Sequence, residues 1–306
     1  MRSLTLLLAA LLAACGGGGG GSTTVTPPPV TPPVTLPGAP VATGDTALDG
    51  YNWFNYRRAG IGLSTLARNA RLDAAAAGHS NYLRLNNTVS HDQVPGNPGY
   101  TGASLQNRIT AAGYTLSNPY AFGEVISAAG DRSGFYHAEE LITAIYHRFV
   151  ILEPVFKEMG TGASSTASNY TYFTADFAAS SGYGPGLGRG RIVTYPGDGQ
   201  VMVPTTFLSD TESPDPVPNQ NAVGYPVSVH ADITSSITVG SFTIKPRNGA
   251  ALSTRLLSSA TDTHTKPQVA AIVPLTTLAA NTTYDVSYSG TVDGVAVSRN
   301  WSFTTK

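Results

Sequence analysis

Hydrophobic positions along this 306-residue chain change their pattern three times. Leu4 to Leu12 form a short apolar core. Gly16 to Gly21 and the Pro/Val/Thr tract ending at Pro40 carry no periodicity, and a segment of that composition has nothing with which to form a core. From Asp45 the apolar residues become periodic. Leu48, Tyr51, Trp53 and Phe54 fall in a helix-compatible run, and Leu66, Ala70, Leu72, Ala75, Ala76, His79 and Leu83 recur at spacings of three and four. The strong helix formers Ala74 to Ala77 reinforce this second helix, which ends near Asn86-Asn87 and leaves Ser90-His91 in the following loop. Residues 105–112 predict a short helix stopped by Gly113, residues 121–128 an extended segment carrying Glu124, and residues 137–151 a longer helix. On that longer helix Glu140 and His147, seven apart, share a face with Ala144 between them. Residues 155–162 and 171–178 read as strands, so helices flanking an antiparallel sheet are expected.

The texture changes again near Ile192. Short extended runs at 227–229, 237–239, 242–244, 269–273, 284–288 and 301–305 are separated by turn residues, among them Pro196-Gly197-Asp198-Gly199 and Asp293-Gly294. Evenly spaced short strands predict a β-sandwich. The glycine-dense stretch 182–190 lacks the Lys-Ser/Thr ending of a phosphate loop and reads as a connector. The expected organisation is therefore a leader at 1–15, a Gly/Pro-rich tether at 16–44, an α+β domain at 45–182, a linker at 183–195 and an all-β domain at 196–306.

Composition narrows the function. A formal net charge of −1 with 12% charged residues gives no electrostatic footprint for nucleic acid. The leader has one positive charge, Arg2, then the apolar run, then Leu12-Ala13-Ala14-Cys15; it is too short to span a bilayer and looks like a lipoprotein signal peptide. Cys15 is then the cleavage point and lipid-attachment site, anchoring the protein to a membrane. Gly16 rather than Asp after it favours the outer membrane of a Gram-negative host or the cell surface. Cys15 is also the single cysteine of the chain, so disulfides do not stabilise the exported domains.

The candidate chemistry is two histidines and a carboxylate. His91 follows a helix end, Glu124 sits in Gly123-Glu124, and His147 opens His147-Arg148-Phe149-Val150-Ile151-Leu152-Glu153-Pro154. Two imidazoles and a carboxylate brought together suit a divalent metal or a proton-transfer site. Each also has a plainer reading: a surface or capping histidine at 91, a helix-closing cation at 147, and a core-satisfying carboxylate at 124. Glu140 can supply a second carboxylate by its place on the helix, although a solvated face suits Glu139 and Glu140 equally. His79 and His137 fit packed core histidines, and His230 and His264 have no partner in sequence. No serine-hydrolase elbow, zinc-protease helix or Walker loop occurs.

Read in order, Ser90-His91, Gly123-Glu124 and His147-Arg148 with its aliphatic run, Pro154 and Gly160-Thr161-Gly162 resemble the bacterial branch of the CAP (SCP-like extracellular) family over residues 45–179. Val125 stands where members usually have Asn, and the usual tryptophan and Ser-Pro-Gly turn before His-Arg are missing. The resemblance implies a CAP-type α-β-α sandwich with a cleft holding a divalent cation, zinc foremost, between His91 and His147. Glu124 would hydrogen-bond a ligand histidine or a bound water. Separately, residues 278–286 and 301–305 resemble a bacterial immunoglobulin-like domain, which implies spacing or adhesion. The expected function is a surface-anchored, divalent-metal-dependent binding module for an extracellular or lipid-like ligand. The alternatives are a metal-assisted hydrolase with Glu124 as base beside His91 and His147, and a structural or adhesion protein of the envelope.

Overall fold

A computed structural model describes residues 38–306; the leader, Cys15 and most of the tether lie outside the described residues. Helix α1 (Thr46–Gly60) starts at Asp45, whose carboxylate accepts from the amides of Ala47 and Leu48. After the two-residue strand β1 (Ala67–Arg68) comes α2 (Ala70–Asn86), capped by the Asn69 side chain and ended by Asn87 in the left-handed region at φ 48°. A reciprocal Ser104/Asn107 box opens α3 (Leu105–Ala111). Then follow β2 (Ala121–Ala129), α4 (Gly134–Thr143), α5 (Ile145–Ile151), β3 (Glu158–Ser165) and β4 (Thr171–Ala179).

These strands form one sheet in the order β1-β3-β4-β2, with β3, β4 and β2 antiparallel. Alternation along the strands sorts its two faces. Phe122, Tyr172 and Ala178 look toward α2 and α3, whereas Val125, Phe173, Ala175 and Phe177 pack with α1 and α4. Helix α2 lies very close to β3: a Cβ on Gly160 would fall 2.1 Å from the Asp73 amide nitrogen, and one on Gly162 2.1 Å from that of Ala77. Only glycine permits that approach. The first domain is thus an α-β-α sandwich, as expected for the CAP type.

The helix expected over 137–151 is instead two. Ala144, at φ −67° and ψ 120°, is extended and separates α4 from α5. The break changes the helical phase, so Glu140 and His147 no longer share one continuous face.

The second domain begins inside the stretch read as linker, with β5 (Val193–Tyr195). It continues through β6 (Gln200–Val203), β7 (Thr206–Leu208), a 3₁₀ turn at Ser209–Thr211, β8 (Ala222–Gly224), β9 (Val227–His230), β10 (Ile237–Pro246), β11 (Thr254–Leu257), β12 (Val269–Pro274), β13 (Thr283–Val292) and β14 (Val295–Thr305). Two four-stranded sheets, β10-β13-β14-β6 and β11-β12-β9-β5, enclose a shared core, beside the small β7-β8 hairpin. The expected Asp293-Gly294 turn joins β13 to β14 with both residues at positive φ, 53° and 75°. One hydrophobic cluster runs from Trp53 and Phe54 through Phe173 and Phe177 to Tyr195, Tyr225, Phe242 and Trp301. A second joins Ile145, Tyr146 and Phe149 of α5 to Phe207, Val223 and Leu257. The two domains therefore share apolar cores.

Candidate functional site

On the α2 face of the sheet, Glu124 of β2, Asp176 of β4 and Gly160 of β3 form one cross-strand row. The small Gly160 admits α2, and two acidic side chains are left buried at 2% and 1% exposure. Arg108 of α3 answers them: its Nη2 donates to both Glu124 oxygens at 2.8 and 2.7 Å, and its Nη1 to the His91 carbonyl at 2.7 Å. The third partner is His91, whose Nδ1 lies 2.7 Å from Glu124 Oε1. A carboxylate can only accept there, so His91 carries its proton on Nδ1 and turns Nε2 away from Glu124.

The loop holding His91 is fixed by His79 and Gln93. His79 Nε2 is 2.9 Å from the Ser90 carbonyl, and its Nδ1 is 2.9 Å from Gln93 Nε2. The carbonyl requires the His79 proton on Nε2, and Gln93 then donates to Nδ1. Gln93 Oε1 in turn accepts from the Thr101 amide at 2.7 Å. Burial, with the Arg108 charge beside it, lowers the His79 pKa to about 4, so this ring is neutral near pH 7. Burial alone would raise the Glu124 pKa, but cationic neighbours and the His91 hydrogen bond outweigh it and hold the group well below the usual carboxylate range. With His79 neutral, Arg108 is the neighbour that supplies the charge. Asp176 goes the other way: burial, then the Glu124 charge, raise it well above its ordinary value. The two carboxyls are therefore pushed apart, Glu124 toward its ionised form and Asp176 toward its protonated one.

His147 is elsewhere. A Cβ on Gly123 would strike Val150 of α5 at 2.7 Å, so α5 lies against the face opposite to that of Glu124. Its partner comes from the second domain: Glu212 accepts from the amides of Ile145, Tyr146 and His147 at 2.7, 2.7 and 3.2 Å, and from His147 Nδ1 at 3.0 Å. A carboxylate across the domain boundary thus caps α5. Arg148 beside it sits 4.8 Å from the ring centres of both Tyr195 and Tyr225 and donates to the Ile142 and Pro226 carbonyls. The His147-Arg148 pair is a joint between the domains.

The structure brings His91 and Glu124 together and does not bring His147 to them. The expected divalent cation between His91 and His147 does not fit this donor set, because the two rings serve opposite faces of the sheet, each with Nδ1 committed to a different carboxylate. Among the described residues no group of three or more His, Cys, Asp or Glu side chains could hold a metal ion. Glu140 does not join the cluster either: its charged neighbours are Glu139 and Lys306, and burial chiefly raises its pKa. Glu139 is a buried anchor rather than a solvated residue, bound by Trp53 Nε1 at 2.6 Å and by Arg57 through two bonds of 3.0 Å. His137 packs in the core, stacked on Phe173 with Nδ1 2.8 Å from Ser127 Oγ. His79 is buried as expected, yet it also supports the site. Sequence reasoning missed Arg108, Gln93, Asp176 and Glu212. A lone cation inside a short helix and an acid in a Pro-rich connector carry no local signal.

Comparison with known proteins follows the same outline. Residues 51–177 match the model of the CAP, or cysteine-rich secretory protein, family, so the first domain is a CAP domain. No cysteine falls in the matched region. Similar solved structures include an extracellular SCP-domain protein of Bacillus anthracis, with 23% identity and a TM-score of 0.37, covering 43% of this chain and 39% of that one. An outer surface protein of Borrelia burgdorferi has 18% identity and a TM-score of 0.35, covering 42% of this chain and 89% of that one. A cysteine-rich secretory protein of Staphylococcus aureus has 17% identity and a TM-score of 0.32, covering 45% and 40%. The chain therefore spans well under two thirds of the first of these relatives. No curated protein sequence matches it. Among the described residues no helix is long and apolar enough to cross a membrane.

Proposed function

We propose that the protein is an exported, surface-tethered CAP-domain binding module without hydrolytic activity. The observation that carries this reading is the state of Glu124. Both its oxygens are occupied by Arg108, one also by His91, and its acidity is fixed far below neutral. A general base needs an oxygen clear of a fixed cation and a pKa near the working pH, whereas Glu124 is clamped by Arg108 and held well below the usual carboxylate range. The carboxylate instead orients His91, whose Nε2 is left for an extracellular ligand. The CAP match of the first domain and the apolar leader support export. Anchoring follows from Cys15 after Leu12-Ala13-Ala14, with the Gly/Pro-rich stretch as the spacer that carries the folded domains off the membrane.

Two experiments test the reading. The full chain and Glu124→Gln are assayed on casein, a peptide library and short-chain esters; neither is expected to turn over substrate above blank. Turnover that vanishes in Glu124→Gln would establish the hydrolase instead. For the anchor, labelled palmitate is expected in the wild-type protein and absent from Cys15→Ser, which should move to the soluble fraction. An unlabelled wild type removes the anchor.

A further inference from the structure

The second domain carries a built polar groove that the CAP site does not use. On the sheet β10-β13-β14-β6, alternation turns Phe242, Ile244, Val286, Tyr288, Trp301 and Phe303 into the core. The opposite face is polar, and strand register arranges it in two rows. Thr243, Ser287 and Asn300 lie side by side, and Lys245, Asp285 and Ser302 form the row next to them. A plain solvated sheet face would be flat or convex. Here two turns flank the face, Arg247 and Ala251 on one side and Asp198 on the other, and the open groove between them has a volume of about 550 Å³, with Val286 and Trp301 also in its lining.

Both turns are tied to the sheet, so the shape exists before any ligand arrives. The Ser302 amide donates to Asp198 Oδ1 at 3.1 Å and the Gly199 amide to the Ser302 carbonyl at 2.8 Å. On the far side the Arg247 amide donates to the Thr283 carbonyl and the Leu252 amide to that of Ile244, each at 2.9 Å. Arg247 Nη2 meets Asp285 Oδ1 at 2.8 Å in an exposed ion pair at the edge of the floor.

The chemistry of the lining selects the occupant. Lys245 and Arg247 are balanced by Asp198 and Asp285, so the groove has no net charge with which to draw an anion or a cation. Its floor instead offers closely spaced hydroxyl, amide, carboxylate and guanidinium groups, donors and acceptors intermixed. A ligand whose own groups both donate and accept, at short intervals along a chain, complements that array. We propose that this groove is a binding site for a neutral glycan chain, giving the protein a sugar-recognising surface separate from the His91–Glu124 site. A volume of this order accommodates a short stretch of such a chain.

The test is a two-dimensional NMR titration of the full chain with maltotetraose and chitotetraose as neutral probes, and with inorganic phosphate and a sulfated disaccharide as charged ones. Saturable shifts confined to residues 243–247, 285–287 and 300–302 with a neutral probe are expected, at millimolar affinity. Asp285→Ala and Asn300→Ala should each weaken binding about tenfold at unchanged Tm. Ser298→Ala, on the same strand outside the groove, should leave it intact. Absence of shifts from both neutral probes overturns the proposal. So does tighter binding of phosphate or the sulfated sugar, or equal affinity in the groove variants.

Discussion

Removing the Glu212 carboxylate should uncouple α5 from the second domain. Glu212 is 2% exposed and receives three helix-start amides and the His147 ring. Glu212→Ala strands all four donors in a buried interface. Loss of a helix cap alone costs about 0.5–2 kcal/mol. Breaking a buried charged network by deleting one partner costs about 3–5 kcal/mol, and because four donors depend on this one group the larger range applies. At roughly 2–4 °C per kcal/mol for a chain of this size class, Tm should fall by about 6–20 °C. Glu212→Gln keeps an acceptor oxygen but brings an NH₂ group against the amides, and should lose an intermediate amount. The assay is urea unfolding followed by tryptophan fluorescence, together with limited proteolysis between Thr143 and Ile145. The neighbouring exposed Asp210→Ala serves as control. A loss below about 1 kcal/mol in Glu212→Ala would refute the reasoning, because an interface worth so little could not depend on that cap.

Arg108→Met leaves Glu124 and Asp176 buried without a cation; a loss of about 3–5 kcal/mol is expected in urea unfolding, and the double variant Arg108→Met, Glu124→Gln should recover part of it. The His79 ring should stay neutral until about pH 4. Its pKa is depressed from 6.5, so its contribution is present above pH 6.5 and is lost as pH falls toward 4; ring NMR shifts that moved near pH 6.5 would contradict this. Burial raises the Glu153 pKa to about 8. The folded state then holds a proton the unfolded chain has released, so stability falls from about pH 4.5 to 8; Glu153→Gln, which keeps the acceptor for the Val155 and Ile233 amides, should flatten that slope in unfolding measurements. Calorimetric titration of Zn²⁺ should give the same heats for wild type and for the His91→Ala, His147→Ala double variant; one-equivalent binding lost in the variant would restore a shared metal.

Periodicity alone determined a good part of this protein. The three-and-four spacing from Leu72 to Leu83 defined α2, short apolar or alternating runs bounded by turn residues defined β4, β9 and β12, and Asp293-Gly294 defined a hairpin, because those signals depend only on neighbouring residues. The words around His91, Glu124 and His147 were enough to point to the CAP family, and a helix end was enough to place His91 in a loop. What they could not supply was which face of the sheet each residue would serve. Glu124 follows Gly123 by one position, and in a strand one position is the difference between the α2 side and the α5 side. The cap from Glu212 and the Arg108 clamp on Glu124 join segments separated by 16 or more residues. No local pattern encodes such a pairing. Burial decided it, since a carboxylate removed from water must be met by whichever donors the packed helices and the second domain bring within 3 Å.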